Sequence, residues 1–283
     1  MGSDDPADGT LEQIHTNGET DTPDFMIAVG GHKFPLQTKY QALIDGTNGD
    51  TQLENIDATF LSSHLIAKGA VLDGPKGEHG RTVSLEVNMD KARIEDVMTM
   101  AVPAPKPPMV GALRLTTKFL LPPGETDVSQ RLRLDGRFAI GRAQFTSYDI
   151  QGKINELSKR GRGQVENVKE ENVVSDFQGR FKLADGQLAL PELTFAVPGA
   201  KVELSGNYGL KPETLEFKGQ LLLDGLVSDT VKGWKRWVLK PADTIFKQSD
   251  GSGSAIPIKI AGTRKDPKFG LDVRAVFKRE RKG

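Results

Sequence analysis

Apolar and polar residues alternate along most of this chain, and this alternation limits its possible folds more than any other feature. In residues 197–210, which read VPGAKVELSGNYGL, Val202 and Leu204 fall on one parity, whereas Lys201 and Glu203 fall on the other. Because successive side chains of a β-strand point to opposite faces, such a run predicts a strand with one apolar face. Runs of this kind recur from about residue 25 onward in the 283-residue chain.

Short turns between the runs indicate how the strands are arranged. Asn48-Gly49 and Asp185-Gly186 are typical of tight hairpins. Hairpins join antiparallel neighbours, so the sequence predicts a mainly β protein built as a long antiparallel meander. The apolar parity changes across Pro191, which indicates a bulge or a bend in that strand.

Three segments are predicted to be short amphipathic helices. Residues 91–100 and 148–159 place apolar side chains at helical spacing, and so do residues 226–240. The last segment carries Trp234 and Trp237 beside several cations, a combination that suits a membrane interface. The alternative, which its short length favours, is a helix that packs over one end of the sheet.

Composition changes along the chain predict its organisation. Residues 1–23 are polar, which predicts a disordered lead-in or a cloning remnant. Residues 24–102 are expected to form the first part of the sheet and residues 110–277 the second. The Pro-rich segment 103–109 is expected to be a spacer, and residues 278–283 a basic tail.

The overall composition excludes several classes of function. The 38 Lys and Arg residues balance the 38 Asp and Glu residues, so we do not expect nucleic acid as a partner. With no cysteine, the chain has no disulfide, thiolate metal site or cysteine nucleophile. No apolar run reaches the roughly 18 residues of a membrane-spanning helix. The first residues do not form a secretory signal, so we expect either a cytosolic protein or a fragment without its leader.

Nothing in the sequence indicates an enzyme. The four histidines are scattered without the spacing of a metal site, and no acidic pair is marked as catalytic by its surroundings. DGTNGD at 45–50 is similar to part of a calcium loop, but Gly49 stands where a ligand is needed, so a hairpin turn is favoured. We therefore expect no catalytic residue, no metal and no cofactor.

Glycine recurs on the apolar parity of the predicted strands, in the pattern apolar-x-Gly-x-apolar. Glycine destabilises the middle of a strand, so its recurrence needs a reason. One interpretation is the curvature of a barrel or sandwich, and the other is an open curved sheet whose apolar face lines a groove. The four glycines expected to bend the sheet are Gly136, Gly179, Gly206 and Gly219.

Several of these stretches resemble the C-terminal region of AsmA-family proteins. The resemblance is carried by FAVPGAKVELSGNYGL, LEFKGQLLLDGLVSDTVKGWK and IPIKIAGTRKDPKFGLD, and upstream by LRLDGRFAIGRAQFTSYDIQGKINELSKRGRG and DFQGRFKLADGQL. It runs in order from about 110 to 273, and residues 45–73 resemble the preceding part of the family more loosely. No single motif in it is diagnostic; the order of many weak motifs carries the resemblance.

The resemblance implies a lipid-handling protein of the bacterial envelope. AsmA-like proteins are bridge-like lipid-transfer proteins with a long β-groove lined by apolar side chains. The implied fold is a curved meander forming an apolar groove, taco-like or partly closed as a barrel. The implied location is the periplasm, with an inner-membrane anchor in a longer parent protein, because this chain lacks the family's N-terminal helix.

The implied function is non-catalytic transfer of phospholipid or another acyl lipid between membranes, in support of outer-membrane homeostasis. Contact with a membrane or an envelope protein would accompany it, and the oligomeric state is left open. The residues expected to line the groove are those of the apolar parity: Leu113, Leu115, Phe119, Leu132, Leu134, Phe138, Phe181, Leu183, Phe195, Val202, Leu204, Tyr208, Leu215, Phe217, Leu221 and Leu223.

Two other functions remain as alternatives. The sheet could close around a dry core and serve as a structural or protein-interaction scaffold in envelope assembly, where an open strand edge could add partner strands. A glycan-binding β-sandwich would require exposed aromatic side chains as binding platforms. The chain has only two Trp and three Tyr residues, which argues against this function.

Overall fold

The computed structural model describes residues 8–10, 12–27, 32–74, 80–101, 105–146, 152, 155, 174–223, 246–247, 254–264 and 266–272. Within these residues the protein is mainly β, with fifteen strands and two helices. Neighbouring strands pair antiparallel and, up to β12, follow chain order, which confirms the predicted meander.

The elements follow one another in a simple order. The first eight strands and both helices are β1 (Asp8–Thr10), β2 (Gln13–Met26), β3 (Lys33–Ile44), β4 (Thr51–Phe60), β5 (Ser63–Asp73), β6 (Arg81–Arg93), α1 (Ile94–Ala101), β7 (Met109–Leu121), α2 (Val128–Arg131) and β8 (Arg133–Phe145). The remaining strands are β9 (Ser175–Ala184), β10 (Gln187–Val197), β11 (Ala200–Gly209), β12 (Thr214–Leu223), β13 (Phe246–Lys247), β14 (Ser254–Thr263) and β15 (Pro267–Leu271).

The chain divides into two compact units. The first unit comprises Met1–Ile140 and Phe181–Gly186, and the second comprises Gly141–Arg180 and Gln187–Gly283. The division runs through β8 and β9. In the first unit β1 to β8 follow one another in chain order. In the second unit β10, β11, β12 and β14 do so, and β13 and β15 both pair with β14.

The Pro-rich segment at 103–109 does not coincide with the boundary between the units. The strands on either side of it pair directly, as Val83 with Leu121 and Met89 with Leu115. Pro105, Pro107 and Pro108, which lack a backbone N–H, lie outside the strands, and β7 begins directly after them at Met109.

Bulges in β4 and β6 help to keep the apolar side chains of the first unit on one face, and a third pairing shift lies in β2. In β4 the apolar parity changes between Leu53 and Ile56, and the pairing with both β3 and β5 shifts at the same place. In β6 the parity changes between Met89 and Ala92, where the pairing with β7 shifts. An extra residue in a strand reverses its parity, so each bulge returns the next apolar residue to the face that its predecessors occupy.

Strand β2 corrects the prediction that residues 1–23 are disordered. From Gln13 onward this segment pairs with β3, as Ile14 with Ile44 and Glu19 with Lys39. The last two side chains also form an ion pair, with Lys39 Nζ 2.7 Å from Glu19 Oε1. The prediction was wrong because it relied on low apolar content. The ladder is made by backbone groups, and cross-strand polar pairs suit a solvent-facing strand.

Helix α1 confirms the helix predicted at 91–100 from Ile94 onward, whereas residues 91–93 belong to β6. A buried carboxylate holds α1 to the turn between β4 and β5. Asp96 Oδ2 accepts hydrogen bonds from Ser62 N at 3.1 Å and from Ser63 Oγ at 2.7 Å. Ser63 Oγ in turn accepts one from Arg93 N at 2.9 Å. These hydrogen bonds join the end of β6 and the first turn of α1 to the turn between β4 and β5, which lies 30 to 34 residues earlier in the sequence.

Candidate functional site

The second unit has one apolar face that extends across β10, β11, β12 and β14. The register places Phe195 beside Val202, Val202 beside Leu221 and Leu221 beside Ile256, so these four side chains form a row. Further rows lie at every second residue along the strands. Their members are Val197, Ala200 and Leu223; Leu193, Leu204, Gly219 and Ile258; Leu190, Gly206, Phe217 and Ile260; and Leu188, Tyr208, Leu215 and Gly262. We call this surface the second-unit apolar face.

The bulge predicted at Pro191 is confirmed, and it makes this face continuous. The pairing of β10 with β11 shifts between Leu190 and Leu193. Because of the shift, Leu190 lies beside Gly206 and Leu193 lies beside Leu204, on the same face, although their sequence parity differs.

Burial varies along the second-unit apolar face. The rows nearest the turn at Pro198-Gly199 form a packed cluster that includes Phe195, Leu221 and Ile256. Farther along the strands, Leu204, Tyr208 and Leu215 are only half-buried. The predicted lining residues of this unit therefore lie on one face; Phe195, Phe217, Leu221 and Leu223 are buried, whereas Val202, Leu204, Tyr208 and Leu215 keep apolar surface uncovered.

Gly206 and Gly219 stand where a side chain would collide with the neighbouring strand. A Cβ atom at Gly219 would overlap the carbonyl oxygen of Glu203 and lie 2.9 Å from Leu204 Cα. A Cβ atom at Gly206 would lie 2.7 Å from Phe217 Cδ1, because that ring packs over the glycine. These two glycines permit a close approach of strands, which accounts for their place on an apolar parity.

The same arrangement recurs in the first unit. A Cβ atom at Gly136 would lie 2.8 Å from Phe181 Cζ, and one at Gly18 would lie 2.8 Å from the hydroxyl of Tyr40. Gly179, in the part of β9 that belongs to the second unit, is half-buried. Bending of the sheet by the four predicted glycines stays a prediction, whereas an aromatic side chain is observed against the strand glycine at Gly18, Gly136 and Gly206.

In the first unit the predicted lining residues also share a face with their neighbours. Leu113 pairs with Ala92 and Phe119 with Leu85, and the rings of Phe138 and Phe181 lie 6.2 Å apart. Those that are buried are Leu113, Phe181 and Leu183. Those that are half-buried are Leu115, Phe119, Leu132, Leu134 and Phe138.

Leu132 requires a correction. The alternation predicted that a strand begins there, but Val128–Arg131 form a helical turn, and Leu132 N donates a hydrogen bond to Val128 O at 2.8 Å. Strand β8 begins at the next residue. The two prolines and the glycine at 122–124 end β7, and the short helix connects the strands without a tight hairpin.

Charged side chains cover the face opposite the second-unit apolar face. Lys201 Nζ lies 2.6 Å from Glu203 Oε1, and Gln220 Nε2 donates a hydrogen bond to Glu203 Oε2 at 2.9 Å. The Lys201 ammonium and, after it, the Gln220 amide lower the pKa of Glu203. The sheet is therefore amphipathic across its thickness.

Replacing Lys201 by glutamine should raise the pKa of Glu203 toward its ordinary value, because the strongest partner of the carboxylate is lost. The pKa of Glu203 is lower in the folded than in the unfolded chain. The carboxylate therefore stabilises the fold above its unfolded-state pKa, and that contribution is lost as the pH falls through the folded-state pKa. NMR titration of the Glu203 carboxyl carbon measures the shift. Lys218→Gln, which removes a cation from the same face, should leave it unchanged; an unchanged pKa in Lys201→Gln would contradict the assignment.

An ion pair marks the half-buried end of the second-unit apolar face. Arg264 donates hydrogen bonds to Glu213 Oε1 from Nε at 2.9 Å, and its second amino group lies 2.7 Å from the same oxygen. The backbone N–H of Arg264 also donates to Glu213 O at 2.9 Å. The pKa of the Tyr208 phenol is raised by burial first and by Glu213 second, and Arg264 opposes the rise. By the strand register, the pair lies two residues beyond Leu215 and Gly262, which flank Tyr208 in the last row.

Sequence reasoning missed both members of this ion pair. Glu213 and Arg264 are 51 residues apart in sequence, and no spacing or motif connects them. It also left Val197, Ile256 and Ile258 out of the lining set, although the alternation of 256–260 identified a strand with an apolar face there.

The DGTNGD turn is a hairpin, as predicted. Ile44 pairs with Thr51 across it, and Asp45 Oδ1 accepts a hydrogen bond from Thr47 N at 2.9 Å. The Arg81 guanidinium donates to the carbonyl oxygens of residues 48 and 49. Among the residues that the structure describes, no group of three or more acidic or histidine side chains could hold a metal ion.

Two predicted helices lie outside the described residues. They are residues 148–159, apart from Gly152 and Asn155, and residues 226–240 with Trp234 and Trp237. The helices of the described residues, α1 and α2, are too short and too polar to cross a bilayer.

The fold and the site define a class: an antiparallel β-meander whose strands each place apolar side chains on one face. Comparison of the chain with protein-family models, curated proteins and solved structures finds no match.

Proposed function

We propose that this protein is a non-catalytic lipid-binding and lipid-transfer module of an AsmA-like envelope protein. Its apolar faces would shield phospholipid acyl chains from water during transport between membranes, in support of outer-membrane homeostasis. The observation that carries the proposal is the half-buried apolar surface of Leu204, Tyr208 and Leu215 on one face of β11 and β12, where Tyr208 lies beside Leu215.

The physical basis is transfer of hydrocarbon out of water. Each CH₂ group of an acyl chain that leaves water for an apolar surface gains about 0.8 kcal/mol. A row of side chains repeats at every second residue, about 6.6 Å along a strand, so successive rows can follow an extended chain. No bond is made or broken, and no catalytic group is required.

Replacing Leu204 by glutamate should reduce the acyl lipid that co-purifies with the protein by at least about tenfold, because a carboxylate would face the hydrocarbon. Leu204 is half-buried, so the variant is expected to fold. Phe217 is a poorer choice, since its ring is 7% exposed and a charge there would act on the core. The measurement is lipid extraction followed by mass spectrometry.

The matched control is Ser205→Glu. Ser205 is the next residue of the same strand, is exposed and points to the opposite face. The Ser205→Glu substitution adds the same charge as Leu204→Glu and should leave the lipid content unchanged. Equal lipid content in wild type and in a folded Leu204→Glu variant would refute the proposal.

A structural scaffold with a dry, closed β core is the second candidate. It is favoured by the buried cluster of Phe195, Leu221, Leu223 and Ile256, which offers little apolar surface to a ligand. Native mass spectrometry of the intact protein separates the two functions. Bound phospholipid supports the lipid module, whereas protein without lipid and with a cooperative, high melting temperature supports the scaffold.

A further inference from the structure

The Tyr208 end of the second-unit apolar face is chemically different from the Pro198-Gly199 end. Toward Pro198-Gly199 the rows are apolar and buried. At the other end the last row contains the phenol of Tyr208 beside Leu215 and Gly262, and the ion pair of Glu213 and Arg264 follows two residues farther along the same two strands. The face therefore changes along the strands from hydrocarbon to a phenol and two opposite charges.

The conformation of the turn that presents this ion pair is unusual. Glu213 has φ +49°, in the left-handed region that favours glycine and disfavours a residue with a long side chain. Strained residues of this kind persist where the surroundings hold them, and they concentrate at functional sites. Here the backbone and the side chain of Glu213 both bond to Arg264, so the turn fixes the two charges in place.

The ion pair also remains open to solvent. The side chain of Arg264 is 50% exposed and that of Glu213 is 32% exposed. Because both contacts of the guanidinium are to a single carboxylate oxygen, Glu213 does not occupy the fork in the bidentate manner that arginine uses for two-oxygen ligands. A phosphate can therefore approach the edge of the guanidinium formed by Nη1 and Nη2, which Glu213 does not bridge.

We propose that this end holds the phosphate-bearing head group of a glycerophospholipid, with the acyl chains running over Leu215 and Leu204. Arg264 binds the phosphate, Tyr208 donates its phenol proton to a phosphate or glycerol oxygen, and Glu213 faces the amine of a zwitterionic head group. The inference rests on the proposed function and adds the orientation of the lipid and the residues that select it. Charge complementarity supports this occupant: a neighbouring cation and anion match a phosphate and an ammonium.

The test compares lipids that share acyl chains and differ in the head group. The full chain is incubated with vesicles containing equal amounts of phosphatidylethanolamine and diacylglycerol, re-isolated and analysed by lipid mass spectrometry. Wild type should be enriched in phosphatidylethanolamine. Arg264→Gln should lower the ratio of phosphatidylethanolamine to diacylglycerol by about tenfold, because one charge-assisted contact is lost.

Lys259→Gln is the matched control, since it removes one cation from an exposed position on the opposite face of β14 and should leave the ratio unchanged. If Arg264→Gln fails to fold, Tyr208→Phe removes only the hydroxyl and should lower the same ratio by a smaller factor. Lipid bound by a folded variant with an unchanged ratio overturns the head-group assignment and leaves the lipid module standing. Wild type that binds neither lipid overturns both.

Discussion

Replacing Gly219 by alanine should lower the free energy of unfolding by about 3 kcal/mol, a large fraction of the stability of an ordinary domain. The added methyl group would overlap the carbonyl oxygen of Glu203 and press on Leu204 Cα, and both are backbone atoms that cannot rotate away. Strands β11 and β12 would have to separate, which would break the row of Leu204, Gly219 and Ile258. Urea denaturation measures the loss.

Gly270→Ala is the matched control for this prediction. Gly270 also lies in a strand of the second unit, but an added Cβ atom there would meet nothing within 4 Å. The change in unfolding free energy should be within about 0.5 kcal/mol. Equal effects of the two substitutions would mean that Gly219 is not selected by the close approach of β11.

Replacing Asp96 by alanine should cost about 3 kcal/mol, because the Ser62 N–H and the Ser63 hydroxyl would both lose their acceptor in a buried place. Asp96→Asn should cost less, since both bonds converge on Oδ2 and an amide oxygen can replace that atom. Thermal and urea unfolding measure the difference between the two variants.

Asp90→Ala is the comparison for this second prediction. Asp90 pairs with Arg114 at 3.5 Å, but both side chains are more than two-thirds exposed. An exposed ion pair contributes less than about 1 kcal/mol, so the variant should be close to wild type. If Asp96→Ala were equally mild, the hydrogen bonds between α1 and the β4–β5 turn would not be holding the helix.

The face on which each strand residue lies could be predicted, because the alternation of apolar and polar residues follows the alternation of side chains between the two faces. In β11 and β12 every residue that the alternation assigned to the apolar side lies there. The bulges of β4 and β6 were missed, although the change of parity between Leu53 and Ile56 is visible in the sequence. The sequence predicts the bulge of β10 because Pro191 coincides with its parity change, whereas no proline marks the bulges of β4 and β6.

The rest could not be predicted, for two physical reasons. Strand β2 has few apolar residues, and its order comes from backbone bonds to β3, which local composition does not record. Arg264 reaches Glu213 only because β12 and β14 are adjacent across a long intervening segment. Contacts between residues so distant in sequence depend on the whole topology, and no local pattern specifies them.

The bulge of β10 has a consequence for how such a chain can change in length. Between Leu190 and Leu193 the strand carries one residue more than its partner, and this extra residue sets the phase of the whole strand. A one-residue deletion at that point would exchange inside and outside for every residue on one side of it. The turns can absorb insertions and deletions. The number of residues in a bulge is fixed, because it keeps the apolar residues before and after the bulge on the same face.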